Sequence, residues 1–128
     1  MTDLTFTTTP LSDAAFVAFT IRKGDNLHAE IWLESGGQAA EPLERLVETF
    51  PAGASRPLVE LQSALAPLRG LSWSDPRTEG SYVVIRAQKN DLRFAARTLT
   101  GFNYPPEPEE VDRAKSRLES TMEVIFPL

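Results

Sequence analysis

Residues 81–100, SYVVIRAQKNDLRFAARTLT, decide the fold of this chain. Residues 82–87 are rich in β-branched and aromatic residues, and residues 92–99 alternate apolar and polar side chains. Both patterns are typical of β-strands. The polar break between them, residues 88–91, contains Asn90, a residue type that tolerates the positive φ of a tight turn. The stretch therefore predicts a β-hairpin.

A two-residue loop at Lys89 and Asn90 predicts which side of this hairpin faces a core. Side chains alternate along a strand, so three apolar cross-strand pairs then share one face. The pairs are Ala87 with Leu92, Ile85 with Phe94, and Val83 with Ala96. A slip of one residue would turn half of these side chains to the other face, which favours the predicted register.

The opposite face of the hairpin carries three arginines. Its residues are Tyr82, Val84, Arg86, Arg93, Ala95 and Arg97. The predicted register sets Arg86 opposite Arg93, and like charges in that position destabilise a sheet. Either acids elsewhere in the chain neutralise the arginines, or an anion binds there, or the loop differs. Candidate anion-binding residues are Tyr82, Arg86, Arg93 and Arg97.

A second hairpin is predicted over residues 16–34, around Gly24 and Asp25. A three-residue loop sets apolar residues opposite one another: Ile21 with Leu27, Phe19 with Ala29, and Val17 with Ile31. The same register sets Phe16 opposite Trp32 on the second face. Large aromatic residues anchor protein interfaces, although a helix could equally cover this pair. The candidate partner-binding residues are Phe16, His28, Glu30, Trp32 and Glu34.

The remaining segments complete an α+β pattern. Helical spacing of apolar residues predicts helices over residues 41–50, 55–65 and 107–122. Further short strands are predicted at residues 4–9, 71–73 and 124–126. We expect residues 1–128 to form a single compact domain, with a single antiparallel sheet of about five to six strands packed with about three helices.

Composition limits the classes of function. The chain has 128 residues, no cysteine and a net charge of −5. No apolar run approaches the roughly 18 residues of a membrane span, and the first residues do not resemble a secretory signal, so we expect a cytoplasmic protein without membrane contact. The negative net charge disfavours nucleic acid as a partner. Acidic residues concentrate in residues 30–60 and 107–123, and basic residues in 69–97, which predicts either internal neutralisation or an acidic surface for a basic partner.

No motif for catalysis or cofactor binding occurs. The chain lacks GxSxG, GxxxxGK[ST] and GxGxxG, and His28 is its only histidine. We therefore expect no metal site, no cofactor and no catalytic residue, although two acids distant in sequence could still meet in the fold. A non-catalytic role is favoured, and enzymatic activity stays open.

These observations favour a non-catalytic protein-binding module. The specific expectation is an acidic stoichiometric inhibitor or immunity-type protein that caps a basic partner. One alternative is an anion- or nucleotide-binding protein or enzyme that uses the arginine cluster. Another is a structural subunit of a larger assembly, or a homo-oligomer, that pairs through residues 4–9 or through the last predicted strand.

Overall fold

The strands alternate apolar and polar residues, and they assemble into one sheet. The computed structural model describes residues 4–10, 16–35, 45–46, 48–89, 92–101 and 104–126. Within these ranges, seven strands form one antiparallel sheet in the order β4-β1-β2-β3-β7-β6-β5. They are β1 (Leu4–Pro10), β2 (Phe16–Lys23), β3 (Asn26–Ser35), β4 (Ser55–Pro57), β5 (Arg77–Glu79), β6 (Tyr82–Lys89) and β7 (Leu92–Leu99).

Two helices lie wholly within the same ranges, α1 (Leu58–Ala64) and α2 (Pro108–Ile125). A single 3-10 turn, Ala66–Leu68, follows α1, because Pro67 disfavours α-helical backbone at the residue before it. The α2 helix begins with Pro108 at its first position, where proline's missing N–H costs no hydrogen bond. Neither helix combines the length and the apolar character that crossing a bilayer requires.

The helices pack on one face of the sheet, which we call the inner face. Its strand residues are Phe6, Val17, Phe19, Ile21, Ala29, Ile31, Leu33, Val83, Ile85, Ala87, Leu92, Phe94 and Ala96, all buried. The helices contribute Leu58 and Leu61 from α1 and Ala114, Leu118, Met122 and Ile125 from α2. Three phenylalanines meet edge to face where β1, β2 and the segment before β4 converge. Ring centroids lie 5.8 Å apart for Phe6 and Phe19, and 5.1 Å apart for Phe6 and Phe50.

The fold class is α+β with a single antiparallel sheet, as the sequence predicts, but the counts differ. The sheet has seven strands in the described chain rather than five or six, because short edge strands form at Ser55–Pro57 and Arg77–Glu79. Residues 71–73 are not a strand. The predicted final strand at 124–126 is wrong, because α2 continues to Ile125, which stays on the helix's buried stripe. Of the helix predicted over residues 41–50, residues 45–46 and 48–49 are helical, and residues 41–44 and 47 lie outside the described chain.

The hairpin of β6 and β7 has the predicted faces but a different register. Ala87 pairs with Phe94 and Ile85 with Ala96, each two residues beyond its predicted partner. A shift of two preserves the face of every side chain, so all six predicted core residues are buried. Arg86 lies opposite Ala95 instead of Arg93, which removes the predicted clash of like charges. The pairing of Lys89 with Leu92 moves the turn by one residue.

The hairpin of β2 and β3 also departs from its predicted register. Ile21 pairs with Ala29, and Arg22 pairs with Leu27, so a β-bulge makes His28 the extra residue. Leu27 is consequently half-buried and lies outside the core cluster, whereas the sequence predicts it inside. Trp32 lies opposite Ala18, and Phe16 lies opposite Glu34, so the predicted Phe16–Trp32 pair is wrong.

Replacing Phe19 tests this core. The side chain is fully buried and contacts the rings of Phe6 and Phe50, so Phe19→Ala should lower the free energy of unfolding by about 3–5 kcal/mol. Val59→Ala on α1, where the side chain is 62% exposed, should change it by less than about 0.5 kcal/mol. Urea denaturation measures both values. Equal effects of the two substitutions would contradict the described core.

Candidate functional site

The face of the sheet opposite the helices is the candidate site, and we call it the outer face. Three rows of residues cross β3, β7 and β6 there: Glu30–Arg97–Val84, Trp32–Ala95–Arg86 and Glu34–Arg93–Gln88. Tyr82 lies on the same face, two residues before Val84 on β6. Both described helices pack on the inner face, so in the described chain they do not cover these rows.

Arg97 occupies the centre of the outer face. Its guanidinium carbon lies 4.5 Å from the ring centroid of Trp32 and 4.2 Å from that of Tyr82, so two aromatic rings flank one cation. Nε and Nη2 of Arg97 donate to Oε2 of Glu30 at 3.3 and 3.1 Å. The indole Nε1 of Trp32 donates to the same oxygen at 2.9 Å. These contacts hold both rings and both charges in one arrangement.

A second ion pair lies at the edge of the outer face. Both terminal nitrogens of Arg86 donate to the carboxylate of Glu79 on β5, one of them at 3.0 Å. The hydrogen bond from Arg86, together with the charges of Arg86 and Arg77, lowers the pKa of Glu79. The same hydrogen bond and the negative charge of Glu79 raise the pKa of Arg86. Glu79, seven residues away in the sequence, therefore neutralises Arg86, and Glu30, 67 residues away, neutralises Arg97.

Two depressions lie beside these ion pairs. The smaller has a volume of about 220 Å³ and lies between them, against Tyr82 and Val84. The larger is an open groove of about 730 Å³ that extends from Trp32 past Glu34 and Arg93 to Trp73. This volume lies within the range of about 300–1,000 Å³ that is typical of ligand pockets.

The loop before β5 forms one wall of the larger groove. The backbone N–H of Ser74 donates to the carbonyl of Arg86 at 2.7 Å, and the N–H of Arg86 donates to Oγ of Ser74 at 2.9 Å. Trp73 packs against Phe94 and Phe126, with ring centroids 6.4 and 5.9 Å away. The wall is therefore attached to both β6 and the core.

Most residues of the two sites predicted from the sequence share one surface. Glu30, Trp32 and Glu34 lie on β3, directly beside the arginines of β7. The second set, Tyr82, Arg86, Arg93 and Arg97, lies on β6 and β7 of the same face. Backbone register places Phe16 on β2, opposite Glu34.

His28 does not belong to this surface. The β-bulge turns its side chain toward α2, where it lines a separate cavity of about 450 Å³ with Lys23 and Arg117. Burial, followed by the charges of Arg117 and Lys23, lowers the pKa of His28. Strict alternation along β3 would have left His28 on the outer face, so the prediction failed at the bulge.

Sequence reasoning missed the role of Glu79 and of the loop residues Trp73 and Ser74. The sequence does contain a signal for Glu79, namely the glycine that follows it, because glycine favours turns. Gly80 has a φ of 61° in the turn that pairs Glu79 with Tyr82. No comparable signal marks Ser74, because its contact with Arg86 spans 12 residues of chain.

Comparisons with protein-family models, with curated proteins and with solved structures give no match for this chain. We therefore infer the binding partner of the outer face from the chemistry of its residues. Two of its three arginines are paired with acids, and Arg93 lies opposite Glu34. What distinguishes the face is a pair of aromatic rings on either side of one guanidinium and beside a groove, with charges of both signs around them.

The two ion pairs of the outer face should differ in strength. Side chains of Arg97 and Glu30 are 31% and 18% exposed, and those of Arg86 and Glu79 are 55% and 46% exposed. A double-mutant cycle on Arg97→Ala and Glu30→Ala should give a coupling energy of about 1 kcal/mol or more. The matched cycle on Arg86→Ala and Glu79→Ala should give less than about 0.5 kcal/mol. Chemical denaturation measures both, and a larger value for the exposed pair would contradict the described network.

His28 should make stability depend on pH. Its pKa is lower in the folded than in the unfolded chain, so between the two pKa values the unfolded chain binds the extra proton. The contribution of His28 to stability is therefore complete above about pH 6.5 and falls as the pH drops toward the folded pKa. Unfolding free energies of the wild type and of His28→Gln are measured from about pH 8 to pH 5. The wild-type value minus the variant value should decrease as the pH falls. A pH-independent difference would contradict the described burial of His28.

Proposed function

We propose that this protein is a non-catalytic protein-binding module whose contact surface is the outer face of the sheet. The observation that carries the proposal is the stacking of Arg97 between Trp32 and Tyr82 on a face that the described helices leave open. Tryptophan, tyrosine and arginine are the residue types that contribute most to protein–protein binding. On this face they are adjacent and already ordered.

Ordering before binding is the second support. Association costs free energy when rotamer-rich side chains become fixed. The hydrogen bonds of Arg97 and Trp32 to Glu30 fix these side chains in the free protein. The binding of a partner that stacks on the rings therefore loses little free energy to the ordering of these side chains. The groove of about 730 Å³ beside Trp32 offers a pocket in which a partner side chain can be buried.

The pairing of the arginines favours a protein partner over a small anion on this face. An anion would have to compete with Glu79 for Arg86 and with Glu30 for Arg97. The alternative of an anion- or nucleotide-binding site at Tyr82, Arg86, Arg93 and Arg97 is therefore less favoured than protein binding. The alternative of strand pairing is also less favoured, because Thr5, Phe6 and Thr7 of β1 already pair with β4.

We further propose that the partner is basic, as for an acidic inhibitor or immunity-type protein. The net charge of −5 attracts a positively charged partner over distances up to about a Debye length. The outer face itself has balanced charges, so the excess acid acts on the rate of encounter and the rings act in the final contact. Charged residues of α2 such as Glu119 and Glu123 are exposed and belong to this excess.

Capture experiments with matched variants test the contact surface. Wild-type protein, Trp32→Ala, Tyr82→Ala and Val59→Ala are immobilised and exposed to lysate from the native cell, and the affinity of each for the captured protein is then measured. Trp32→Ala and Tyr82→Ala should weaken binding by about tenfold or more, while both variants keep the circular dichroism spectrum of the folded wild type. Val59→Ala should bind as the wild type does, because Val59 is exposed on α1. Loss of binding in Val59→Ala alone would place the contact elsewhere.

Salt dependence tests the charge of the partner separately. If the partner is basic, its association rate should fall steeply as sodium chloride rises, while the dissociation rate changes little. An association rate that does not change with salt would contradict the proposal of a basic partner. It would not affect the proposal for the contact surface.

A further inference from the structure

A separate cavity lies under α2, on the side of the sheet away from the proposed protein contact. Its volume is about 450 Å³, and its lining combines basic, hydroxyl and apolar residues. The polar lining residues are Lys23, His28, Arg117, Ser120 and Thr121, and the apolar ones are Leu4, Leu58 and Val124. Among the described residues, the lining contains no aspartate or glutamate. The described lining thus combines three basic side chains and no acid, in a chain whose net charge is −5.

The fold positions His28 toward this cavity through the β-bulge of β3. The bulge makes His28 the extra residue between the Ile21–Ala29 and Arg22–Leu27 pairs. Bulges of this kind redirect a side chain and are common next to functional sites. The hydroxyl of Thr98, on β7, donates to the carbonyl of His28. The bulged backbone is thereby fixed to the neighbouring strand.

The same hydroxyl connects His28 to Arg117 of α2. Nη1 of Arg117 donates to Oγ1 of Thr98 at 3.2 Å and to the carbonyl of Leu99 at 3.3 Å. Both acceptors are neutral, and both are contacted by one nitrogen of the guanidinium, which has five N–H donors in all. Within the described ranges, no carboxylate forms an ion pair with Arg117 or Lys23. A half-buried guanidinium held by neutral oxygens favours an anionic ligand.

We propose that this cavity binds a small amphipathic oxyanion, a molecule with a sulfate, phosphate or carboxylate group and a short apolar part. The oxyanion contacts Arg117, Lys23 and His28, with the hydroxyl of Ser120 as a further donor. The apolar part lies along Leu4, Leu58 and Val124. This site is separate from the outer face, so its test is independent of the test of the proposed protein contact.

Protonation of His28 is linked to this binding. Among the described lining residues, the titratable groups around His28 are Lys23 from β2 and Arg117 from α2, while β1 and α1 contribute the uncharged Leu4 and Leu58. Burial and these two cations lower the pKa of His28, and a bound anion opposes the effect of the cations. Binding therefore tightens as the pH falls and His28 becomes a third cation.

The single histidine makes this linkage directly measurable. The imidazole signal of His28 in an NMR spectrum is unique, so its pKa can be followed in sodium sulfate and in sodium chloride of equal ionic strength. Sulfate keeps its double negative charge throughout this range, which removes the ligand's own titration. The pKa of His28 should be higher in sulfate. Equal values in the two salts would overturn the proposal.

Matched variants assign the effect to the cavity. Lys23→Gln, at an exposed position, should retain the fold and reduce the upward shift in sulfate. Arg93→Gln removes another exposed cation, on the outer face, and should leave the shift unchanged. A shift that responds to Arg93→Gln and not to Lys23→Gln would mean that sulfate acts elsewhere, and it would overturn the site.

The apolar part of the ligand has its own test. Hexyl sulfate should displace the His28 signal at concentrations at least about tenfold lower than sulfate, because its chain contacts apolar surface. Val124→Ser should remove most of that advantage, since Val124 is 46% exposed at the cavity and its replacement does not touch the core. Equal potency of the two anions on the wild type would overturn the amphipathic part of the proposal.

Discussion

Side chains alternate across a β-strand, so a sheet that packs helices on one face must present the other face to water or to a partner. In β3 this alternation is visible in successive residues: Ile31 and Leu33 are fully buried, while Trp32 is half-buried and Glu34 is exposed. The same rule in β7 buries Phe94 and Ala96 and leaves Arg93 and Arg97 on the outer face. The core and the candidate site are thus two consequences of one pattern.

The outer face would be unfavourable for folding if its charges were not compensated. Glu30 reaches Arg97 from β3 and compensates the charge of a guanidinium that otherwise lies against the rings of Trp32 and Tyr82. The carboxylate of Glu30 also accepts from Trp32, so the residue that compensates the charge also orders the aromatic ring. Stability and the arrangement of the surface therefore depend on the same contacts.

The sequence predicts faces well and registers poorly, for a physical reason. Burial distinguishes the two faces of a strand, but a shift of two residues leaves every face unchanged, so only turn geometry decides between such registers. Both hairpins shifted in this way along most of their length. Edge strands of three residues, such as Ser55–Pro57, are too short to show a period. The bulge that redirects His28 depends on a hydrogen bond from Thr98, 70 residues away in the sequence.

The central claim is that the rings of Trp32 and Tyr82 lie on an open face in solution. Solvent paramagnetic relaxation, measured by NMR with a neutral gadolinium chelate, tests this claim most directly. The ring protons of Trp32 and Tyr82 and the methyl group of Ala95 should relax much faster on addition of the chelate than the side chains of Ile31, Ile85 and Phe94, which lie on the inner face. Protection of Trp32 and Tyr82 to the same degree as Ile31 would contradict the account, because it would mean that another part of the chain covers the outer face.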